Sequence, residues 1–298
     1  MNITLKERAI DIAALALDIA RSSEKNQTIG DFLQATGKIS PDDAERILTV
    51  QKEQGLRFGD AAKTLGLIND QDIQRALANH FDFPLLFNGD GEFSPELITA
   101  YQPFHEQVEV LRTVCSQLML TWFNESRKIL TVVSPRRGEG RSNVAANLAV
   151  LFSQLGRKTL LIDADLRQPR QQQIFRLNQT QGLSDLLAGR RDEWVIAPIL
   201  HFRDLSVLPA GTKPPNPLEL ISRDMSACLS HLAGQYDVIL IDTPANELGA
   251  DSQVLSAKAG GALYLARQNH TRLADLAKMK NLFESTGTVS VGSVVTDF

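Results

Sequence analysis

Two rhythms of apolar and polar residues divide this chain. Through the first ninety residues the apolar positions recur at the spacing of helices that bury one face, and no segment carries a strong strand pattern. Ile10 to Ala20 predicts a short helix with a broad apolar face, suited to packing on its own domain or to lying against a membrane surface or a partner. From Thr28 onward one pattern runs twice. TIGDFLQATGKISPDDAERILTVQ (Thr28 to Gln51) is matched by RFGDAAKTLGLINDQDIQRALANH (Arg57 to His80) at a constant offset of 29 residues. The offset pairs Gly30 with Gly59, Gly37 with Gly66, Ile39 with Ile68 and Leu48 with Leu77. Each copy predicts a helix, a glycine stop, a short turn, an N-cap at Ser40 or Asn69, and a second helix. Two copies predict a small helical domain over 1–86 rather than a solenoid.

Phe87 to Pro103 is rich in Gly, Pro and polar residues, which predicts a linker over 87–104. A helix follows from about His105 to Phe123, and the rhythm then changes. Lys128 to Val133 and Thr159 to Ile162 are continuous apolar runs of the kind buried in a parallel sheet, and Tyr236 to Ala245 carries a third. The apolar spacing from Val144 to Leu155 is helical, with Gly156 as its stop. Residues 105–298 therefore predict an α/β domain, a mostly parallel sheet flanked by helices.

The first strand and its helix enclose SPRRGEGRS, Ser134 to Ser142. A glycine loop between a strand and a helix N-terminus turns backbone N–H groups inward, where the helix dipole adds positive potential for phosphate. Against the P-loop pattern GxxxxGK[ST], the first Gly falls on Pro135, the second on Gly140, the Lys on Arg141 and the hydroxyl on Ser142. The candidate nucleotide contacts are Gly138, Glu139, Gly140, Arg141, Ser142 and Asn143. Arg141 keeps the cation but is planar and forked, and so is not equivalent to a compact ammonium. The second strand ends in Asp163 and Asp165 and the third in Asp242, at the carboxyl edge where open α/β sheets bind ligands. One such carboxylate can take a proton from a hydroxyl and another can hold Mg²⁺ through water.

Composition narrows the field. The net charge of −4 argues against non-specific nucleic-acid binding. Cys115 and Cys228 form no metal-binding spacing, and the five histidines are scattered. No apolar run reaches the roughly 18 residues that span a bilayer. The expected location is the cytoplasm, with any membrane contact made through a partner.

IDADLR after the glycine loop, followed later by IDTP, resembles the deviant-Walker ATPases. RLNQTQGLSDLLAG (Arg176 to Gly189) and LPAGTKPPNPLELI (Leu208 to Ile221) resemble one branch of them, the bacterial tyrosine kinases of exopolysaccharide export. The resemblance runs from about Glu106 to the C-terminus. It implies ATP and Mg²⁺ as cofactors, with Gly138, Gly140, Arg141 and Ser142 on phosphates and the Ser142 hydroxyl on the metal. It further implies Asp163 as the base for an incoming tyrosine hydroxyl, with Asp165 and Asp242 organising Mg²⁺, so that the catalytic set is Asp163, Arg141 and Asp165. Arg167 would position phosphate or a neighbouring subunit. The implied partner is a membrane polysaccharide co-polymerase, or chain-length determinant protein, reached at the inner face of the inner membrane, and the implied assembly is a homo-oligomer. Two departures stand out. The chain ends SVGSVVTDF without the tyrosine cluster such kinases phosphorylate, and the ring-building ExxRxxR helix has Glu109 and Arg112 but Cys115 in its third place. Both leave room for a non-catalytic ATP-binding switch or scaffold. A partitioning ATPase of the same superfamily is disfavoured, because Ser134, Pro135 and Arg136 stand where its signature lysine belongs.

The N-terminal repeats resemble the N-terminal domain of type II secretion and pilus ATPases, with tandem motifs RLGxxLxxxGLIxxxxLxxxLxxQ. In that family the motifs can bind cyclic di-GMP. Here Thr28 replaces the first Arg, Ala62 an expected Leu, and His80 the second Gln. A protein-docking module is the alternative.

Overall fold

The computed structural model describes residues 28–81, 84, 86, 93–189 and 195–297. The helix expected at Ile10 to Ala20 and the first part of the expected linker, 87–92, lie outside them. The chain divides into two compact units, Met1–Leu85 and Leu86–Phe298.

The first unit is a pair of helical hairpins: α1 (Ile29–Ala35) with α2 (Pro41–Gln54), and α3 (Phe58–Thr64) with α4 (Asp70–His80). Thr28, Ser40 and Asn69 each accept the N–H of an Asp three residues on, and that Asp accepts the cap residue's own N–H in return. Each such box satisfies two backbone donors the helix leaves open. The hairpins share one core, Leu33, Ile39, Ile47, Ala61, Ala62, Ile68 and Ala76. The repeat offset places Leu33 against Ala62 and Ile47 against Ala76 in sequence, so one copy supplies bulk where the other supplies room. That explains Ala62 without reference to a ligand. Gly30 and Gly59 have an equally local cause: a Cβ on Gly30 would lie 3.2 Å from the Phe58 ring, and one on Gly59 3.2 Å from Ile73. Both allow close helix approach.

The second unit opens with α5 (Ile98–Tyr101) and α6 (Glu106–Thr121). There follow β1 (Ile129–Val133), α7 (Arg141–Gln154), β2 (Thr159–Asp163), α8 (Gln171–Ile174), α9 (Leu183–Leu187), β3 (Ala197–Pro198), β4 (Leu205–Leu208) and α10 (Pro217–Ala233). The unit closes with β5 (Val238–Asp242), α11 (Asp251–Ala259), β6 (Gly261–Arg267), α12 (Leu273–Glu284) and β7 (Val289–Thr296). The seven strands run in the order β3-β4-β2-β5-β1-β6-β7. All pairs are parallel except β3 with β4. Successive strand residues face opposite layers. Thus Leu161 and Leu240 join α6 and α7 in one core, while Leu160, Ile162, Ile239 and Ile241 join α9 and α10 in the other. Among the described residues no helix is long and apolar enough to cross a membrane.

The expected linker needs correction. From Phe93 onward it belongs to the second unit, with Phe93, Leu97 and Ala100 in the α6–α7 core. Asn147 Oδ1, on α7, accepts both the N–H and the hydroxyl of Thr99, at 3.0 and 2.8 Å. The described part, from Phe93 onward, is a packed segment in which a buried asparagine satisfies the polar groups of Thr99.

Candidate functional site

The β1–α7 loop is shaped by glycines and held from outside. Gly138 and Gly140 have φ of 73° and 88°, the left-handed region that side chains resist, and Gly140 caps α7. The backbone after β5 supports the loop: Asn246 and Glu247 donate N–H to the carbonyls of Ser134 and Pro135 at 3.1 and 3.0 Å. Arg136 pairs with Asp275 at 2.7 Å.

Three of the expected nucleotide contacts point their side chains elsewhere. Glu139 is fully buried, accepts the Arg136 N–H at 2.7 Å, and takes the Thr271 hydroxyl on its other oxygen. Its side chain braces the loop from behind, leaving only its backbone for phosphate. Asn143 donates to the Glu96 carbonyl at 3.2 Å and so ties α7 to the segment before α5. Arg141 is folded inward and nearly buried. Its Nε donates to the Thr243 carbonyl at 2.9 Å, and its Nη1 donates to the Arg136 carbonyl at 2.7 Å and to the Ser134 hydroxyl. Burial pulls its pKa down, and the carboxylates of Asp242, Asp165, Glu139 and Glu247 act against that.

The three aspartates lie at the carboxyl ends of β2 and β5, where the backbone N–H of Asp165 donates to Asp163. Asp163 and Asp242 are register partners on adjacent parallel strands. Asp163 is fully buried and accepts backbone N–H groups from Asp165 (3.2 Å), Arg170 (2.9 Å) and Gln171 (2.8 Å). Burial, reinforced by Asp242, pushes its pKa well above the usual carboxylate range, against the pull of those donors. Asp165 Oδ1 accepts from Arg167 and Gln168 at 3.1 and 2.8 Å, and burial raises its pKa also. Burial pushes Asp242 up to about 6, opposed by the nearby Ser142 hydroxyl and the Gln171 amide. Only Gln171 makes a hydrogen bond of ordinary geometry, Nε2 to Oδ2 at 2.8 Å.

Gln171 was not foreseen. It is fully buried, donates its backbone to Asp163, and divides its side-chain amide between Asp242 and the Ser142 carbonyl at 3.0 Å. One residue thus links both strand-end aspartates to the start of α7. Its only sequence signal is its place just past IDADLR. The Arg167 guanidinium, by contrast, pairs with the buried Asp251 at 3.1 Å, and it is the backbone N–H of Arg167 that meets Asp165.

Asp242 Oδ1 and Gln171 Oε1 are buried and without a hydrogen bond. Two bare oxygens beside the Ser142 end of the loop suit a hard cation with oxygen ligands. Among the described residues no group of three or more His, Cys, Asp or Glu side chains forms a self-sufficient metal site. A Mg²⁺ held here would therefore rest on Ser142, on Asp242 and Asp165, and on phosphate and water.

A pH effect follows. A folded-state pKa above the unfolded value means the native state binds the extra proton, so stability is greatest below about 4 for this group and is lost as pH rises through about 6. Asp242→Asn removes that cost. The nucleotide-free variant is expected to melt higher than the parent at pH 8 and to show a flatter melting profile between pH 4 and 7. An unchanged profile in thermal scans contradicts the assignment.

Comparison with known proteins gives this arrangement a context. The sequence model of a family described as cellulose biosynthesis protein BcsQ matches residues 127–281. The tyrosine-protein kinase YwqD of Bacillus subtilis is 32% identical over 209 residues, covering 70% of this chain and 88% of its own. The putative tyrosine-protein kinase CapB of Staphylococcus aureus is 32% identical over 63% of this chain and 82% of its own. Among solved structures, the kinase domain of the Escherichia coli tyrosine kinase ETK superposes with a TM-score of 0.65 at 27% identity, over 70% of this chain and 82% of that one.

Proposed function

The chain belongs to the bacterial tyrosine-kinase family, and from that membership we propose that it binds Mg·ATP and phosphorylates tyrosine on a partner protein in exopolysaccharide assembly. The observation that carries the reading is the meeting of Asp163 and Asp242 in register beside the glycine loop. In the proposed reaction the tyrosine oxygen attacks the γ-phosphorus, the bond to the β,γ-bridging oxygen breaks, ADP departs, and the phenolic proton passes to Asp163. A carboxylate with a raised pKa is a stronger base than an exposed one whenever it is itself ionised, a form that a cation held by the neighbouring carboxylates would favour. Ser142, Asp165 and Asp242 are assigned to the metal. The loop N–H groups around Gly138 and Gly140 are assigned to the phosphates.

The acceptor is placed on another protein because the chain offers little of its own. Tyr236 and Tyr264 are buried and Tyr101 is half-buried. The proposed partner is the cytoplasmic segment of a membrane polysaccharide co-polymerase, which would bring the chain to the inner face of the inner membrane. Self-assembly through α6 is expected to be weak. Glu109 and Arg112 pair with each other on that helix, and Cys115, in the third ring-building place, lies in the core. For the N-terminal unit a protein-docking role is preferred. Thr28 serves as a helix cap, so Arg57 alone remains of the two leading arginines. Titration with cyclic di-GMP is expected to show no binding at micromolar ligand, and saturable micromolar binding overturns the docking assignment.

One observation favours a non-catalytic ATP switch instead: the inward anchorage of Arg141, which removes the expected P-loop cation from the phosphates. Incubation with labelled ATP and Mg²⁺, with and without the partner segment, separates the two. Label on partner tyrosine supports the kinase. Bound ATP without transfer supports the switch.

A further inference from the structure

We infer that Arg137, rather than Arg141, is the side chain that meets the terminal phosphates of the bound nucleoside triphosphate. The inference rests on the Mg·ATP reading above and assigns within it a residue that the P-loop pattern leaves unspecified.

The first ground is what Arg141 already does. Three of its hydrogen bonds go to protein acceptors on Ser134, Arg136 and Thr243, and these stitch the start of the loop to the end of β5. Moving that guanidinium to a phosphate would strip two carbonyls and a hydroxyl of a charged donor at once. Such bonds are about twice as strong as neutral ones. Arg141 is therefore a structural clamp.

The second ground is the commitment of the surrounding cations. Arg136 is paired with Asp275, Arg167 with Asp251, and Arg170 with Glu96. Arg267 donates to the Gly138 carbonyl at 3.2 Å. Arg137 differs from all of them. It is exposed, and among the described residues its guanidinium has neither an ion pair nor a hydrogen bond. Its backbone is nevertheless fixed, because its N–H donates to Glu247 Oε1 at 2.9 Å. It sits immediately before Gly138, where positive φ turns the loop over the phosphate cradle.

The third ground is place. Arg137 stands inside the β1–α7 loop, between the Ser134–Pro135 end held by the backbone after β5 and the Gly140 cap of α7. Its unpaired charge therefore belongs to the loop assigned to the phosphates. A forked guanidinium on a fixed backbone matches the paired oxygens of a terminal phosphate.

The experiment compares Mg·ATP and Mg·ADP binding, by fluorescent-nucleotide competition, in the parent, Arg137→Gln and Arg141→Gln proteins. Arg137→Gln alters an exposed side chain and should melt like the parent. It is expected to weaken ATP by about tenfold or more while weakening ADP by about threefold or less, the loss of one charge-assisted contact to the terminal phosphate. Arg137→Lys is expected to restore part of that difference. Arg141→Gln should lower the melting temperature while keeping the parent's ATP-to-ADP preference. Equal ATP affinity in Arg137→Gln and the parent overturns the assignment, as does a larger loss of ATP preference in Arg141→Gln. A parent protein that binds neither nucleotide overturns the Mg·ATP reading itself, and this inference with it.

Discussion

Asp163→Asn is expected to lower phosphoryl transfer to partner tyrosine by about 10²–10⁴-fold, the range for loss of a positioned general base, while Mg·ATP affinity changes by no more than a few-fold. The side chain is fully buried and accepts three backbone N–H groups. An asparagine of the same shape can turn its oxygen toward Arg170 and Gln171, where two of the three donors lie, so the fold tolerates the change better than it would tolerate alanine. It cannot take the phenolic proton. Single-turnover transfer of labelled phosphate, read beside equilibrium nucleotide binding, checks both halves. Full transfer by the variant removes Asp163 from the role of base. Equal loss of binding and transfer makes it a structural residue only.

Gly182→Ala is expected to cost about 3 kcal/mol or more, at or beyond the upper end of ordinary overpacking, and to leave little folded protein if the parent is marginally stable. Gly182 is extended, with φ of −168°, so backbone strain plays no part. The cause is space. An added Cβ would stand 2.0 Å from the Pro209 carbonyl oxygen, 2.3 Å from the Gly211 nitrogen and 2.7 Å from the Ala210 carbonyl carbon. All three are backbone atoms and cannot swing aside. The same joint is cross-linked by hydrogen bonds: Leu183 donates N–H to Pro209 O at 2.7 Å, and Asp185 Oδ2 accepts from Gly182 and Thr212, each at 3.1 Å. Chemical denaturation of the variant beside Gly234→Ala, at a glycine of ordinary helical φ whose added Cβ would meet only the His231 carbonyl oxygen at 3.5 Å, isolates the steric part. Similar midpoints for the two variants contradict the packing account.

That joint also explains part of the sequence pattern. QGLSDLL and LPAG stand apart in the chain and both resemble the kinase branch. In the fold they are two halves of one contact, α9 docked on the turn after β4. The strands that end in aspartates were legible for a related reason. Buried parallel strands need continuous apolar runs, and a carboxylate closing such a run is conspicuous. The helical repeats were legible because capping residues and glycines recur at a fixed offset.

Other features left weaker marks. Phe93 to Ala100 carries linker-like composition, and its burial depends on Asn147, about fifty residues away in sequence, which no local pattern reveals. Glu139 has the polar character of a phosphate loop, yet its carboxylate is held inside by the Arg136 N–H and the Thr271 hydroxyl. Gln171 lies in a run of three glutamines, and only the third dimension selects it over Gln172 and Gln173. Arg141 was visible as a departure from the lysine pattern. Its inward anchorage was not, because the acceptors come from Ser134, Arg136 and the end of β5.

The central claim is that the glycine loop, Ser142 and the strand-end aspartates hold one magnesium-bound triphosphate. Calorimetric titration of ATP into the parent and Ser142→Ala proteins, each with Mg²⁺ and with EDTA, tests it most directly. Saturable one-to-one binding that requires Mg²⁺ in the parent, and that Ser142→Ala weakens by about tenfold or more in line with loss of a metal ligand, is the expected result. Binding that is indifferent to Mg²⁺, or equal in the two proteins, contradicts it.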